Sequence, residues 1–349
     1  MHSSLTNTFG VRNGNQVFLD NQKKFYSEIF FPKLDEEGIK VVLDLGDTFD
    51  QRKQINFEVL YQAREMFFDE MQKRGIEYHS IVGNHTVTYK NTNRVNAIEL
   101  LLQEYDNFHL YVNDPVELKF ANTKFIMVPW LTSDNSERSL KILSKSKADV
   151  VCGHFDIQGY EMRRGTVSSH GLDKKTFEKF FAVYSGHYHH PNQAGNIEYL
   201  GAPYEMDWSD AGCSRGFHIF DCTSKRKEFI VNPYKLHVEL DVDAEDMTEE
   251  DISDLDVSAI KGAFVRLNVT NSKSNSVLET LLEKMGGATS VVVADKSILK
   301  ENGSFDIDED SSMATVIEEY LKFAIGEDAD EYEKVKTKIT ELYQEALTL

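Results

Sequence analysis

Residues 39–47, "IKVVLDLGD", decide how this chain is read. A short run of β-branched and aliphatic residues ends in a glycine and a carboxylate. Such a run, bounded by turn residues, predicts a buried strand. The stretch before it, "NQKKFYSEIFFPKLDEEG", has the spacing of an amphipathic helix ending near Gly38. The stretch after it, "NFEVLYQAREMFFDEMQKRG", predicts a second helix with Gly75 just past its end. The alternation continues through "IEYHSIVGNH" (strand), "NAIELLLQEY" (helix), "TKFIMVPWL" (strand), "SERSLKILSKS" (helix), "ADVVCGH" (strand), "DKKTFEKF" (short helix) and "FAVYSGH" (strand). Strands alternating with helices imply a mostly parallel sheet covered by helices, an α/β fold. "GFHIFDCTSKRKEFIVNP" then predicts a hairpin closing this part of the chain.

Four of these strands end alike. "LDLGD" ends at Asp47, "IVGNH" at Asn84 and His85, "VVCGH" at His154, and "YSGH" at His187, with His189 two residues on. In a parallel α/β sheet, ligands bind outside the carboxyl ends of the strands, so these side chains converge on one rim. A lone histidine at a strand end is usually a hydrogen-bonded surface residue; four matching exits are not. The donor set of one Asp, one Asn and several His, with no cysteine, suits a hard-to-borderline divalent ion such as Mn²⁺, Fe²⁺ or Zn²⁺.

Composition adds limits. The 349 residues are 41% hydrophobic and 28% charged, enough for one large domain with additions. No apolar run approaches the ~20 residues that span a bilayer. The N-terminus lacks the basic and apolar regions of a signal peptide, and three cysteines without a CxxC suit a reducing, cytoplasmic setting. The net charge of −20 argues at first against a nucleic-acid partner. Its distribution removes the objection: residues 1–235 carry −3 and residues 236–349 carry −17.

"GDTFD" (46–50), "GNH" (83–85), "GH" (153–154) and "GHYH" (186–189), in this order, resemble the calcineurin-like metallophosphoesterases. "YLGAPY" (199–204) resembles the closing motif of their DNA-nuclease branch, the SbcD-type repair nucleases. Within that branch "VGNHTVTYKNT" looks nearest to the phage nuclease subunits. The resemblance covers residues 9–235 strongly and the remainder by architecture. It implies an αββα sandwich with a small α+β capping domain and C-terminal helices. It implies that Asp47 bridges two divalent metal ions, Mn²⁺ by preference. Asn84, His154 and His187 would complete one metal site, and His189 would serve the other. His85 would act catalytically beside the scissile phosphate, while His190 would lie outside the site.

The chain departs from that pattern in two places. The resemblance calls for a first strand ending in Asp-x-His, but Thr6 and Thr8 stand at those positions, and "MHSSL" is too short and polar to be expected as that strand. Leu-Thr-Asn-Thr can be encoded by codons that, read from the third base of the leucine codon, give Asp-Gln-His. The N-terminus is therefore expected to be either a frameshifted or mis-called start, or a true loss of one metal site. The second departure is Thr86, where an Asp that orients the preceding histidine is usual, so His85 is expected to be less firmly held.

The expected organisation is a nuclease domain over 1–235, a capping and DNA-binding domain over 236–300, and an acidic linker with helices over 301–349. "DVDAEDMTEEDISDLD" and "ENGSFDIDEDSS" look like connectors, and "VIEEYLKFAI" places Val316, Ile317, Tyr320, Leu321 and Ile325 near one helical face. By resemblance those helices dock on an SbcC/Rad50-like ATPase, with a homodimer of nuclease subunits in a heterotetramer. The expected activity is 3′–5′ exonuclease and endonuclease cleavage of DNA in break processing, recombination and phage replication. Two rivals remain: a catalytically impaired structural subunit of the same complex, and a metallophosphoesterase acting on non-DNA phosphoesters.

Overall fold

The run at residues 41–45 sends alternate side chains into two different cores. Val41, Leu43 and Leu45 join one apolar cluster, while Val42 joins another. A strand with apolar side chains on both faces must be covered on both, and this requirement organises the larger part of the molecule.

The computed structural model describes residues 2–6, 16–163, 166–243, 247–255, 257–270, 275–295, 321–322 and 332–348. Thr8, "FGVRN", Arg164, "ENGSFDIDEDSS" and all but two residues of "VIEEYLKFAI" lie outside them. In chain order the strands are β1 (His2–Thr6), β2 (Val41–Asp44), β3 (Glu77–Ile81), β4 (Phe108–Tyr111), β5 (Val116–Phe120), β6 (Thr123–Val128), β7 (Val150–Gly153), β8 (Glu161–Arg163), β9 (Thr166–Val167), β10 (Ala182–Ser185), β11 (Asn192–Ala194), β12 (Ile197–Tyr199), β13 (Arg215–Asp221), β14 (Arg226–Asn232), β15 (His237–Asp243), β16 (Phe264–Thr270) and β17 (Ser290–Asp295). The chain divides into two units, Met1–Val238 and Glu239–Leu349.

The first unit holds two six-stranded sheets, ordered β14-β13-β1-β2-β3-β4 and β11-β12-β10-β7-β6-β5. β1, β2, β3 and β4 run parallel, as do β6, β7, β10 and β12; the hairpin partners β13, β14, β11 and β5 are antiparallel. Leu43, Ile81, Phe125, Cys152 and Phe220 fill the space between the sheets. Outside the first sheet, Phe30, Phe67 and Leu102, from the helical stretches flanking β2 and from helix Ala97–Leu102, pack on Val42 and Tyr78. Outside the second, Leu143 of helix Ser136–Lys145 and Phe177 pack with Val151 and Val183. The result is a helix–sheet–sheet–helix sandwich. Both long helical stretches contain a π segment, Tyr26–Phe30 and Arg64–Phe68.

The expectation for the N-terminus is corrected. "HSSLT" is a central strand, paired in parallel with β2 and antiparallel with β13. Pairing on both edges satisfies its backbone groups, which needs no apolar side chain.

In the second unit β15, β16 and β17 form a three-stranded sheet, with β16 and β17 parallel and helix Asn275–Lys284 between them in sequence. The first acidic stretch is more than a connector. It contains the end of β15 and a helix, Glu249–Asp254, opened by a capping box. Thr248 Oγ1 accepts from the Asp251 N–H at 3.2 Å, and Asp251 accepts from the Thr248 N–H at 2.9 Å. A terminal helix spans Tyr332–Thr348. No described helix is long and apolar enough to cross a membrane.

Candidate metal centre

The carboxyl ends of β2, β3, β7 and β10 deliver the side chains that the sequence marks. Asp47 leaves β2 with φ +56° and His187 leaves β10 with φ +82°. Non-glycine residues in this left-handed region are uncommon, cost about 1–3 kcal/mol each, and cluster at functional sites. Gly83 is required by close approach: a Cβ there would collide with the Asp47 carboxylate and lie 2.5 Å from its backbone nitrogen.

His154 is fully buried at the end of β7. Its Nδ1–H donates to the Leu45 carbonyl at 2.7 Å. Its Nε2 therefore faces inward, 3.1 Å from Asp47 Oδ2 and 2.9 Å from Asn84 Oδ1. Asn84 Oδ1 also lies 2.9 Å from His187 Nδ1. Ligand atoms of Asp47, His154 and His187 all fall within 4.8 Å of one another. The half-buried Trp130, at the exit of β6, walls the group, with ring centroids 5.2 Å from His187 and 5.7 Å from His154.

The electrostatics follow from this crowding. Burial alone would raise the Asp47 pKa, but His154 and then His85 outweigh it and hold the carboxylate well below its usual range. Burial likewise opposes charge on His154, yet Asp47 beside it raises the imidazole above its ordinary value. His187, half-buried and next to His154, is pushed down to about 3, by loss of water first and by His154 second. The pocket thus gathers an ionised carboxylate, an amide oxygen and two imidazole nitrogens around one point. That set fits a divalent cation, and the Leu45 bond fixes the ring orientation of a ligating histidine.

His85 adjoins the group. Its N–H donates to Asp47 Oδ1 at 2.7 Å, and its Nδ1–H donates to the Asp50 carbonyl at 2.6 Å. Its side chain is 44% exposed. The expectation of a loosely held His85 is corrected, because the Asp50 carbonyl grips the ring. Thr86 instead closes the turn. It is buried, and its Oγ1 accepts from the Gly83 N–H at 3.0 Å and lies 3.1 Å from the Gly83 carbonyl.

His189 is half-buried, acts electrostatically on His187, and is not among the three clustered residues. Its carbonyl accepts from the Ala202 N–H at 3.1 Å and from Arg215 Nη1. Arg215 and Asp210, both 1% exposed, pair at 2.7 Å. His190 is buried elsewhere, donating Nε2–H to the Ser209 carbonyl at 2.8 Å. Thr6 stands opposite Asp44 at the end of β1.

Trp130, Asp50 and Arg215 escape a reading of the sequence. Trp130 carries the one usable signal, since "VPWL" ends another parallel strand at the same rim.

No protein-family model matches the chain. Over 287 residues it is 30% identical to exonuclease subunit 1 of Enterobacteria phage T4, spanning 82% of this chain and 81% of that protein. With that identity over most of both lengths, and with the strand-exit cluster in place, the chain belongs to the phage exonuclease subunit 1 family.

Proposed function

We propose that this chain is a metal-dependent nuclease subunit of the calcineurin-like, SbcD-type kind, hydrolysing DNA phosphodiesters by 3′–5′ exonuclease and endonuclease cleavage. The convergence of Asp47, Asn84, His154 and His187 carries the reading. Two divalent ions, Mn²⁺ by preference, would be held with Asp47 shared, His189 serving the second. When bound, such ions neutralise the phosphoryl group and activate water for in-line attack. His85, anchored through Nδ1 to Asp50, presents its Nε2 to the phosphate and, when protonated there, can give that proton to the leaving oxygen. Arg52 and Lys53 lie two and three residues past Asp50 and make no ion pair among the described residues, which suits contact with a polyanion.

The finer assignments complete the proposal. The chain acts in break processing, recombination and phage DNA replication, with an SbcC/Rad50-like ATPase bound through its C-terminal helices and residues 236–300 capping the DNA. Two copies of the chain form a homodimer within a heterotetramer with that ATPase.

Thr6 at the end of β1 supports a second reading, a structural subunit with an incomplete metal site. Assaying the full chain on linear duplex DNA with Mn²⁺, with and without the ATPase, separates the two. Metal-dependent release of nucleotides supports the nuclease; complex formation without cleavage supports the structural subunit.

A further inference from the structure

Trp130 stands at the wall of the metal centre with one polar atom unused. Its ring centroid lies 5.2 Å from that of His187, tilted by 43°, and 5.7 Å from that of His154, edge-on at 77°. The residue is half-buried. Among the described residues its indole Nε1–H has no acceptor, yet that atom is not closed off from solvent. The N–H of a buried indole usually finds a partner within the protein. This one is left free beside two imidazoles of the centre.

The backbone around it is held from both sides. The Trp130 N–H donates to the Val82 carbonyl at 2.9 Å, which ties it to the strand exit that carries Asn84 and His85. Its carbonyl accepts from Asn93 Nδ2 at 2.8 Å and from Asn135 Nδ2 at 3.1 Å. Both amides are sealed from water, and each also donates to a second carbonyl, of Val112 and of Asn113. Fixing a free donor in advance lowers the entropy cost of a later contact. The donor is also neutral. A lysine at this place would repel divalent ions held by Asp47, Asn84, His154 and His187, whereas an N–H dipole meets an anion without that repulsion.

We propose that Trp130 is a substrate-binding residue, its Nε1–H donating to a non-bridging oxygen of the phosphate at the metal centre. This rests on the nuclease reading above. The acceptor is an anionic phosphodiester oxygen, so the bond is charge-assisted. It forms in the bound substrate as well as in the transition state, so it contributes to binding rather than to the chemical step.

The test compares the wild type with Trp130→Phe and Trp130→Tyr, the Mn²⁺-induced rise in thermal midpoint reporting that each is folded and holds metal. In Mn²⁺-dependent hydrolysis of bis-p-nitrophenyl phosphate, Trp130→Phe keeps a ring but no donor. It should raise KM about tenfold, the loss of one hydrogen bond to a charged group, with the effect on KM rather than kcat. Trp130→Tyr, which restores a donor, should recover part of that loss. Equilibrium binding of linear duplex DNA with Mn²⁺, in a His85→Ala background, should show a higher Kd on adding Trp130→Phe. The log Kd–log salt slope should stay the same, because a neutral donor releases no counterion. If the wild type hydrolyses the diester but Trp130→Phe leaves KM and Kd unchanged, the contact is overturned alone. It is overturned equally if Trp130→Phe abolishes the Mn²⁺-induced rise, since the ring then serves the metal site instead. If the wild type hydrolyses no phosphodiester, with or without the ATPase, the nuclease reading falls and this contact with it.

Discussion

The Nδ1–H of His154 donates to the carbonyl of Leu45 at 2.7 Å, and this single bond decides which nitrogen faces Asp47. The strand that presents the carboxylate thus also orients the imidazole opposite it.

From that bond comes a prediction about metal and stability. A ligand that binds only the folded chain stabilises it by about 2.7 kcal/mol at a hundred times its dissociation constant. Mn²⁺ should therefore raise the thermal midpoint of the wild type. His154→Ala should lower the metal-free midpoint and remove the Mn²⁺-induced rise. Differential scanning calorimetry checks both; an undiminished rise in the variant would remove His154 from the site.

Thr86→Ala strips the Gly83 N–H of its acceptor inside a buried turn. An unsatisfied buried donor costs about 1–3 kcal/mol. Urea denaturation should show that loss as a lower midpoint at unchanged slope.

Arg215→Met leaves the Asp210 carboxylate buried without its cation. Removing one partner of a buried pair costs about 3–5 kcal/mol. It also frees the His189 carbonyl from Arg215, so Mn²⁺ affinity should fall along with stability. Isothermal titration of the folded variant measures the second effect separately.

Asp44 governs a pH effect. Burial raises its pKa to about 6, against the opposing hydroxyls of Thr48, Tyr78 and Ser80. The unfolded value is about 3.9, so the folded chain holds this proton more tightly. The stability it contributes is full below pH about 4 and is lost as pH rises through about 6. Asp44→Asn should accordingly stabilise the protein above pH 6, by up to about 3 kcal/mol, and not below pH 4. Denaturation of both proteins between pH 4 and 8 should show the difference growing with pH; a constant difference would contradict it.

What the sequence discloses depends on how local the cause is. "LDLGD", "VGNH", "VCGH" and "YSGHYH" are legible because an apolar run, a glycine and a polar residue lie together on each strand exit. The position of β1 is not, since "HSSLT" owes its place to backbone pairing with β2 and β13. The grip on His85 is equally hidden, because the atom that holds it is the Asp50 carbonyl, which every residue has.

The most direct test of the central claim compares wild type and His85→Ala on linear duplex DNA with Mn²⁺. The wild type should release nucleotides, and the variant should not, while both keep the same Mn²⁺-induced rise in thermal midpoint. Equal cleavage by the two proteins would contradict the assignment of His85 and the mechanism built on it.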